Sequence, residues 1–584
     1  MLMKQRITGF VGVASLDRAR LKQHGERINS LVQGREDRIA LVRGDCFLFY
    51  LFPSGPLAHE HFPISIDLGG YGSGADDPYP EQGVSLRFAS LNSCSIVTDP
   101  VGMLNVYRCT IGEVLLLSTS SLLLATLIPE LTFDRQGWLD FITTGYLTGH
   151  RTYYRNVEVV DGGMELRISP DVLPQGKEHK WWYLKEKKSS ERIALENLKE
   201  RSRVLVDTLA RDYRPCCDLT GGFDSRGILA MFLDGRHIFE SVVNGFPGTP
   251  DVVLAKRIAA AFDIPLRFNN TAEFDIPSRF DDLVRNLMLT DGEIDICEYY
   301  IPAAVHMITR SRNMATVNGT GGELFRGYWW EGQRGTRCGN RRINLDFLVQ
   351  RILLPDLNFT VFASSRSDIK NQLTDQLCRI ADTADCDRGA LATIDWLYLR
   401  LRMSRWAARF FSSTIKILPC FSPFLFTPIL EIAFSVPSFV KKRNRFYMKW
   451  LQLMNPQLAQ LPLESGRPAV PLSLTTLPLF YGVPVKLAQK AIHRILPDLR
   501  QKDPGRRHPV ECLADTVFDN WEVESFFAPE QMITGDIFDR NMLEWFSGMS
   551  RKQVVSALPP GQLSRMLTLE TTMRYLEEMR KNLS

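Results

Sequence analysis

Several features that mark large classes of protein are missing from this sequence. The most apolar window, residues 114–128, is too short to span a membrane and is interrupted by hydroxyl side chains, which predicts a strand followed by a core helix. Near the N-terminus the only apolar piece is residues 9–14, which is less than a secretory signal needs. We therefore expect a cytoplasmic protein with no membrane span.

The chain also lacks metal-binding spacing and a strong charge of either sign. Its 11 cysteines are odd in number and none is spaced as in a zinc knuckle, which favours a reducing compartment over a disulfide framework. The 9 histidines are scattered without a His-x3-His pair. A formal net charge of +4 is too small for 584 residues to indicate binding to nucleic acid, so we expect no nucleic-acid partner.

Composition along the chain predicts four regions. Residues 1–175 carry short apolar runs separated by Gly, Pro and Asp turns, which is typical of packed antiparallel sheets. Residues 176–205 are polar and charged at first, which predicts a linker and an entry helix. Strands alternate with helices over residues 206–470, as in an α/β parallel sheet covered on both faces. Residues 471–584 predict a helical C-terminal extension.

The most informative stretch is residues 218–226, which read DLTGGFDSR. A short apolar run precedes it and an apolar helical run follows, so the pattern predicts a strand, a glycine turn and the start of a helix. Such a turn directs backbone N–H groups and the positive end of a helix dipole at one spot, where an anion is stabilised. Asp224 suits that place if a magnesium ion lies between its carboxylate and the anion. The chain has no Walker-type Gly-x4-Gly-Lys-Ser/Thr motif.

This stretch resembles the Ser-Gly-Gly-x-Asp-Ser pyrophosphate loop of the asparagine synthetase superfamily. Two later turns extend the resemblance: residues 243–251 (VNGFPGTPD) look like the segment beside the adenine, and residues 318–328 (NGTGGELFRGY) look like Ser-Gly-x-Gly-Ala-Asp-Glu-Leu-Phe-x-Gly-Tyr. The resemblance implies ATP and pyrophosphate binding by ten residues: Leu219, Thr220, Gly221, Gly222, Asp224, Ser225, Asn244, Asn318, Gly319 and Thr320. Because ligands of parallel sheets bind beyond the carboxyl ends of the strands, we expect the three turns to lie together.

The same resemblance implies a Mg²⁺ site formed by Asp224 and Glu323. In the third turn this chain is one residue shorter than the family pattern, and it has a single acid, Glu323, where the family has Asp-Glu. The extra methylene of a glutamate would extend its reach toward the metal. The alternative for Glu323 is an acid at a helix N-terminus that the helix dipole stabilises.

The first region resembles the N-terminal glutaminase domain of asparagine synthetases, through DPVG at residues 99–102, TGY at residues 144–146 and residues 154–163. The resemblance implies an α+β sandwich of antiparallel sheets, followed by an α/β parallel-sheet ATP-pyrophosphatase domain with added helices. The cysteine nucleophile of that glutaminase domain is absent, and Thr8 stands near its place. Without the nucleophile, amide hydrolysis by this route has no chemistry. A processed N-terminus that exposes Thr8 is the alternative.

A lysine of the family is missing as well. It follows a Leu-Pro pair and neutralises the charge that develops as an amine attacks the acyl-adenylate. Here residues 461–467 (LPLESGR) contain no lysine, and Arg467 is the nearest cation and therefore the candidate catalytic residue. A guanidinium is a poor proton carrier. Upstream, Arg400, Arg402 and Arg405 either bind phosphate or carboxylate or form pairs on a helix surface.

These features predict an ATP-dependent amide ligase that adenylates a carboxylate, releases AMP and pyrophosphate, and passes the acyl group to an amine or ammonia. Loss of the glutaminase cysteine favours activities like those of β-lactam synthetases and lasso peptide cyclases, with ATP and Mg²⁺ as cofactors. The substrate would be a small-molecule or peptide carboxylate with an amine acceptor, and the protein would act as a homodimer or with partner biosynthetic proteins. The alternatives are a degenerate member that binds nucleotide without turnover and an RNA-modifying enzyme with the same loop, which the near-neutral charge disfavours.

The absence of the cysteine generates a first prediction. The purified protein, supplied with glutamine, ATP and Mg²⁺, should release no glutamate above the buffer level, because Thr8 stands where the thiol nucleophile would be. A coupled glutamate dehydrogenase assay measures this, with an intact glutamine-dependent amidotransferase as the positive control. Stoichiometric glutamate release would show that another nucleophile replaces the cysteine.

Overall fold

The structure is a computed structural model. It describes residues 9–32, 40–52, 64–72, 80–183, 189–274, 280–330, 343–355, 357–384, 389–480 and 526–583. Within these ranges, none of the helices combines the length and the apolar character needed to cross a membrane.

The N-terminal region contains two antiparallel sheets. Its strands are β1 (Gly9–Ser15), β2 (Ala40–Arg43), β3 (Phe47–Phe52), β4 (Ile64–Gly72), β5 (Pro80–Ser90), β6 (Ser93–Thr98), β7 (Tyr107–Ile111), β8 (Val114–Ser118), β9 (Glu158–Val159), β10 (Met164–Ile168) and β11 (Lys177–Lys180). One sheet has the order β2-β3-β1-β8-β7-β9, and the other has the order β11-β10-β6-β5-β4. Every pairing within them is antiparallel, which confirms the predicted sheet type for this region.

Aromatic side chains join the two sheets. Phe47 and Phe49 of β3 each contact Phe88 of β5, and the ring centroids are 5.5 Å apart in both pairs. Residues 47 and 49 share a face because side chains alternate along a strand. All seven residues of β1 are buried, and Gly12 lies under the Phe49 ring, where a Cβ would come within 2.7 Å of it. This apolar contact stabilises the domain through the hydrophobic effect.

Strand β11 lies inside the stretch that the sequence predicts as a linker. Its residues, KEHK, pair with β10 at the edge of the second sheet. Three of the four are exposed, so the strand has no apolar alternation by which a pattern could reveal it. The sheet therefore extends to residue 180, and the predicted entry helix follows as Glu191–Asp212.

The second region contains a five-stranded parallel sheet. Its strands are β12 (Pro215–Asp218), β13 (Glu240–Gly245), β14 (Leu266–Asn270), β15 (Ala315–Val317) and β16 (Cys420–Phe421). Their order is β14-β13-β12-β15-β16, and all four pairings are parallel. The sheet grows from β12 in both directions, so β12 lies at a topological switch point, where sheets of this kind bind ligands. The predicted parallel sheet is confirmed.

Helices account for most of the remaining described residues. They are α1 (Arg18–Val32), α2 (Ser121–Leu127), α3 (Arg135–Thr144), α4 (Glu191–Asp212), α5 (Phe223–Asp234), α6 (Pro250–Ala261), α7 (Phe280–Thr290), α8 (Ile296–Ser311), α9 (Leu345–Ile352), α10 (Arg366–Asp382), α11 (Ala390–Leu397), α12 (Ala408–Thr414), α13 (Thr427–Ser435), α14 (Ser438–Lys441), α15 (Arg445–Met454), α16 (Pro456–Gln460), α17 (Arg540–Ser547), α18 (Arg551–Ala557) and α19 (Pro560–Leu583). A π-helical segment, Tyr398–Ala407, joins α11 to α12. The described part of the C-terminal extension contains α17, α18 and α19 together with turns, while residues 481–525 lie outside it.

Arginines of the π-helical segment connect the two regions. Arg400 donates to the carbonyl oxygens of Pro100 and Gly162, at 3.3 and 3.4 Å. Arg405 donates to the carbonyl of Leu147 at 3.2 Å and also to the carbonyl of Arg151. These bonds run to the backbone of the N-terminal region, so the two arginines are not the helix-surface pairs that the sequence left open.

A buried ionic cluster lies beside these arginines. Arg409 of α12 is 3.2 Å from Asp291 and 3.4 Å from Glu293, and all three side chains are at most 3% exposed. Tyr107 of β7 accepts a hydrogen bond from Arg409 at 2.8 Å and donates one to Glu293 at 2.9 Å. Ser120 donates to Asp291 at 2.6 Å. Charges buried in this way are stable only when each has its partners.

The last helix, α19, returns to the N-terminal region and packs against α2 and α3. Arg565 of α19 donates to the carbonyl of Ile142 in α3 at 2.9 Å. Arg580 donates to the carbonyl of Ala125 in α2, also at 2.9 Å. The C-terminal extension is therefore part of the packing of the first domain.

The buried cluster generates a stability prediction. Arg409→Met should lower the free energy of unfolding by about 3–5 kcal/mol, because it leaves two buried carboxylates without their guanidinium. Urea denaturation followed by circular dichroism measures the change. The control is Arg312→Met, which removes an exposed pair with Glu240 at 2.7 Å and should cost at most about 1 kcal/mol. Equal losses in the two variants would contradict the importance of the cluster.

Candidate functional site

The predicted pyrophosphate loop lies at the carboxyl end of β12, the strand at the switch point of the parallel sheet. Strand β12 ends at Asp218, and helix α5 begins at Phe223. Leu219 is buried, and its N–H donates to the carbonyl of Val242 at 2.8 Å, which continues the pairing with β13. The strand, turn and helix start predicted for residues 218–226 are thus confirmed.

Hydroxyl groups hold the loop in shape. The N–H of Thr220 donates to the Ser225 hydroxyl at 3.1 Å, and the N–H of Gly222 donates to the Thr220 hydroxyl at 3.1 Å. The N–H of Gly221 donates to Asp251 at 2.9 Å. These three N–H groups are therefore engaged inside the protein. Gly222 is the N-cap of α5 and provides no side-chain cap, so the first turn of that helix keeps its positive end open to an anion.

Asp224 in the first turn of α5 forms an ion pair with Arg326. One carboxylate oxygen, Oδ2, accepts from Arg326 Nη2 at 2.5 Å, and the other, Oδ1, is buried without a hydrogen-bond partner among the described residues. The guanidinium of Arg326 lies over the rings of Phe223 and Tyr447, 5.3 and 5.9 Å from their centroids. Burial raises the pKa of Asp224 to about 7, against the opposing effect of Arg326, and Glu323 adds to the rise.

The third turn packs directly against the first. A Cβ on Gly319 would lie 2.6 Å from the backbone carbon of Asp224, so this approach requires glycine. Asn318 accepts from the N–H of Thr320 at 3.1 Å and from the Ser422 hydroxyl at 2.9 Å, which ties the turn to the end of β16. Asn318 and Gly319 thus shape the turn, and Thr320 lies in the same turn.

Glu323 is the second residue of the short 3₁₀ helix Gly322–Phe325, and its carboxylate accepts from the N–H of Gly321 at 3.2 Å. That bond matches the alternative of an acid at a helix N-terminus. Its charge also reaches Asp224, as the pKa of Asp224 reflects. Glu323 therefore lies near Asp224 with one of its oxygens bonded to the backbone.

The second turn approaches the loop through Asp251 at the start of α6, which accepts from Gly221. Asn244, near the end of β13, is exposed and accepts from Asn269 at 2.8 Å. The first turn thus contacts the second through Asp251 and the third through Gly319, as expected for the ends of adjacent parallel strands.

Asp224 and Glu323 are the two residues that the resemblance assigns to Mg²⁺. Magnesium in phosphate sites is usually held by one or two carboxylates together with substrate phosphates and water. The unpaired Oδ1 of Asp224, in the first turn of α5, would be one such ligand. Among the described residues, no group of three or more His, Cys, Asp or Glu side chains is placed to bind a metal. A metal here would therefore depend on the phosphates for most of its ligands.

Arg226 connects the loop to the segment that carries Arg467. The guanidinium of Arg226 is fully buried and donates to the carbonyls of Leu461 and Pro462 at 2.6 and 2.5 Å. Burial lowers the pKa of Arg226 to about 10. Arg467, a few residues further on, is exposed, and its carbonyl accepts from the N–H of Leu463 at 2.7 Å. The Leu-Pro segment is thus held close to the loop.

Sequence reasoning assigned no role to Arg326, Asp251 or Arg226. Arg326 lies inside the third motif turn, at a position where the family pattern has no fixed residue, so only the fold reveals its pairing with Asp224. Asp251 closes the second motif, and its position as the first acid of α6 was the available signal. Arg226 follows the loop directly, and nothing in the sequence indicated its contact with residues 461–462.

Thr8 and Asp99 both belong to the predicted glutaminase-like region. Thr8 lies outside the described residues, and β1 begins at Gly9. Asp99, in the DPVG turn, is buried and accepts four backbone N–H groups, from Gly83, Val101, Gly102 and Met103. Burial raises the pKa of Asp99 to about 6, although these hydrogen bonds oppose the change. Asp99 therefore stabilises a turn between the two sheets.

Comparison with known proteins gives only distant similarity. No family model matches the chain, and no curated protein matches it either. A solved structure titled glutamine phosphoribosylpyrophosphate amidotransferase from B. subtilis, complexed with ADP and GMP, is 9% identical over 44% of this chain and 65% of its own, with a TM-score of 0.19. A structure titled the allosteric regulatory enzyme of purine biosynthesis is also 9% identical, over 46% of this chain and 68% of its own, with a TM-score of 0.19. Similarity at this level carries no argument about function.

The geometry of Asp224 generates a binding prediction. Asp224→Asn keeps an oxygen that can accept from Arg326 but removes the negative charge, so the protein should remain folded. With Mg²⁺, its affinity for pyrophosphate should fall at least about tenfold, the loss expected when a charged contact is removed. With EDTA it should bind pyrophosphate at least as well as the wild type, because a repulsive carboxylate is gone.

Isothermal titration calorimetry measures both affinities, and thermal unfolding checks the fold. The matched control is Asp234→Asn at the other end of α5, whose carboxylate pairs with Lys199 at 3.0 Å. If Asp224→Asn bound pyrophosphate equally with and without Mg²⁺, Asp224 would have no role toward a metal. A lost melting transition would make its role structural.

Proposed function

We propose that this protein is an ATP-dependent amide ligase of the kind that the asparagine synthetase superfamily represents, without glutaminase activity. It would adenylate a carboxylate, release AMP and pyrophosphate, and pass the acyl group to an amine or ammonia. The observation that carries the proposal is the placement of residues 219–225 at the uncapped start of α5, beside the switch point of a parallel sheet. The motif resemblance and this geometry agree on an anion at that place.

The reaction divides into two steps. In the first, a carboxylate oxygen of the substrate attacks the α-phosphorus of ATP, and the bond to the β-phosphate oxygen breaks to release pyrophosphate. In the second, an amine nitrogen attacks the acyl carbon, AMP leaves with the bridging oxygen, and the nitrogen loses a proton. The acyl-adenylate stores the free energy of ATP in a bond that a neutral amine can break.

Some residues of the chain would contact the nucleotide, and others would stabilise the negative charge that develops during the reaction. The open first turn of α5 and the guanidinium of Arg326 would stabilise the departing pyrophosphate, since the chain has no Walker-type lysine to support transfer of a γ-phosphoryl group. Asn244, Asn318 and their turns would border the nucleotide. Arg467 would stabilise the negative charge of the second step and would not carry its proton.

A magnesium ion bound with the nucleotide would neutralise charge on the pyrophosphate. Asp224 would hold it through Oδ1, and the charge of Glu323 would act on the same carboxylate. The Asp224–Arg326 pair would fix the carboxylate so that this oxygen stays directed away from the guanidinium.

The acceptor would be an amine within the substrate, an amine of a second molecule, or free ammonia. The missing glutaminase cysteine favours peptide macrolactam formation or another reaction of specialised metabolism, in the cytoplasm, with partner biosynthetic proteins or as a homodimer.

A nucleotide-binding protein without turnover is the second candidate. The observation that favours it is the ion pair between Asp224 and Arg326 at 2.5 Å, which occupies one oxygen of the carboxylate that the family uses for metal. The hydrogen bond from Gly321 to Glu323 also favours this candidate. This candidate predicts ATP binding without consumption.

The route of ATP cleavage tests the proposal. A pool of amino acids and short peptides is first exchanged in acidic H₂¹⁸O, which labels every carboxylate, and is then incubated with the protein, ATP and Mg²⁺. Adenylation should transfer one ¹⁸O into AMP, and mass spectrometry measures it. The Asp224→Asn variant should form no labelled AMP, which excludes contaminating ligases. ADP and phosphate as the stoichiometric products would overturn the proposed reaction, and binding of ATP without turnover would favour the second candidate.

A further inference from the structure

A cavity of about 770 Å³ lies between the two regions and plays no part in the proposed reaction. One wall comes from the N-terminal region, around residues 101–105 and 149–164. The other comes from α10, α11 and the π-helical segment, including Trp396, Arg400 and Arg405. Its volume falls within the range of about 300–1,000 Å³ that is typical of sites for small molecules.

The lining of this interdomain cavity is positively charged. Six of its side chains are cations and three are carboxylates: Arg151, Arg155, Lys180, Arg379, Arg400 and Arg405 against Asp134, Glu158 and Asp161. Two of the carboxylates already have arginine partners, since Asp134 is 2.9 Å from Arg151 and Glu158 is 3.3 Å from Arg108. The positive charge of the cavity is therefore not balanced within its own walls.

Arg400 and Arg405 supply two of these positive charges. Both guanidiniums are held by hydrogen bonds to carbonyl oxygens, which fix their position without neutralising them. In the described part of the chain, neither has a carboxylate within ion-pair distance. Arg405 is 3% exposed, and its Nη1 has no hydrogen-bond partner among the described residues. Asp161 of the lining acts on both arginines from beyond that distance. An anionic ligand in direct contact would further stabilise a buried cation such as Arg405, which has no paired carboxylate.

The π-helical winding places these arginines on one wall. In a π-helix the backbone bond joins residue i to residue i+5, so Arg400 and Arg405 lie one turn apart along the same face. Ser404, which also lines the cavity, donates to the carbonyl of Leu399 at 3.1 Å. In an α-helix the same two arginines would point in different directions. π-Helical segments occur frequently at functional sites.

We propose that the interdomain cavity binds a small organic anion with two or more carboxylate or phosphate groups. Arginine forks match the oxygens of either group. Trp396 is buried and supports the Arg400 guanidinium, which lies 4.4 Å from its ring centroid. Arg379, exposed on α10, forms a second cationic point on the same wall. The ligand would contact both regions of the chain at once.

Isothermal titration calorimetry on the full-length protein tests this binding with two probes, citrate for carboxylates and fructose 1,6-bisphosphate for phosphates. At least one probe should bind, and the stronger one identifies the preferred group. Arg400→Gln should weaken that binding about tenfold or more, the loss of one charge-assisted contact. Arg379→Gln, an exposed change that leaves the fold unaltered, should weaken it to a smaller extent.

The matched control is Arg402→Gln. Arg402 lies on the same π-helical segment but packs on Trp406, 3.6 Å from its ring, and is not among the residues that line the cavity. The Arg402→Gln variant should bind the probes with wild-type affinity. The Asp224→Asn variant should do the same. The proposal is overturned if neither probe binds, if Arg379→Gln and Arg400→Gln bind normally, or if Asp224→Asn abolishes binding. If Arg400→Gln does not fold, Arg379→Gln decides the question alone.

Discussion

The close approach of Gly319 to the backbone of Asp224 is the contact on which the candidate site depends. Two strands that are neighbours in the sheet end in turns that touch, and only the absence of a side chain at residue 319 allows it. Arg326 follows in the same turn and is thereby brought to the Asp224 carboxylate. A pair of residues about a hundred positions apart in sequence is thus positioned by one glycine. The Asp224 carboxylate in the first turn of α5 is held in place by this packing.

The two regions of the chain form one packed unit through polar contacts. Arginines of the segment between α11 and α12 donate to backbone carbonyls of the N-terminal region, and Arg409 completes a buried ionic cluster with Tyr107. Such interactions are directional and lose much when one partner is removed. They therefore define how the two regions are oriented more sharply than apolar contact alone would. The charged cavity lies along the same boundary.

Local patterns in the sequence predicted much of the fold. Short apolar runs separated by Gly, Pro and Asp turns predicted the antiparallel sheets of the first region, and the glycine turn before Phe223 was placed correctly. What the sequence could not provide were contacts between distant residues. The pairing of Arg326 with Asp224, the bond from Gly221 to Asp251 and the carbonyl contacts of Arg405 depend on the arrangement of strands and domains. Strand Lys177–Lys180 was missed for another reason, since its charged residues suit a sheet edge and carry no apolar signal.

The position of α19 bears on how the chain reaches this structure during synthesis. The helix covers α2 and α3 of the N-terminal region, yet it is formed by residues 560–583, which leave the ribosome after the whole parallel sheet has been made. Domains often fold in order as they emerge. Here the apolar and arginine-binding surfaces of α2 and α3 must wait, exposed, for a partner more than four hundred residues away. This long-range closure favours slow folding of the first domain.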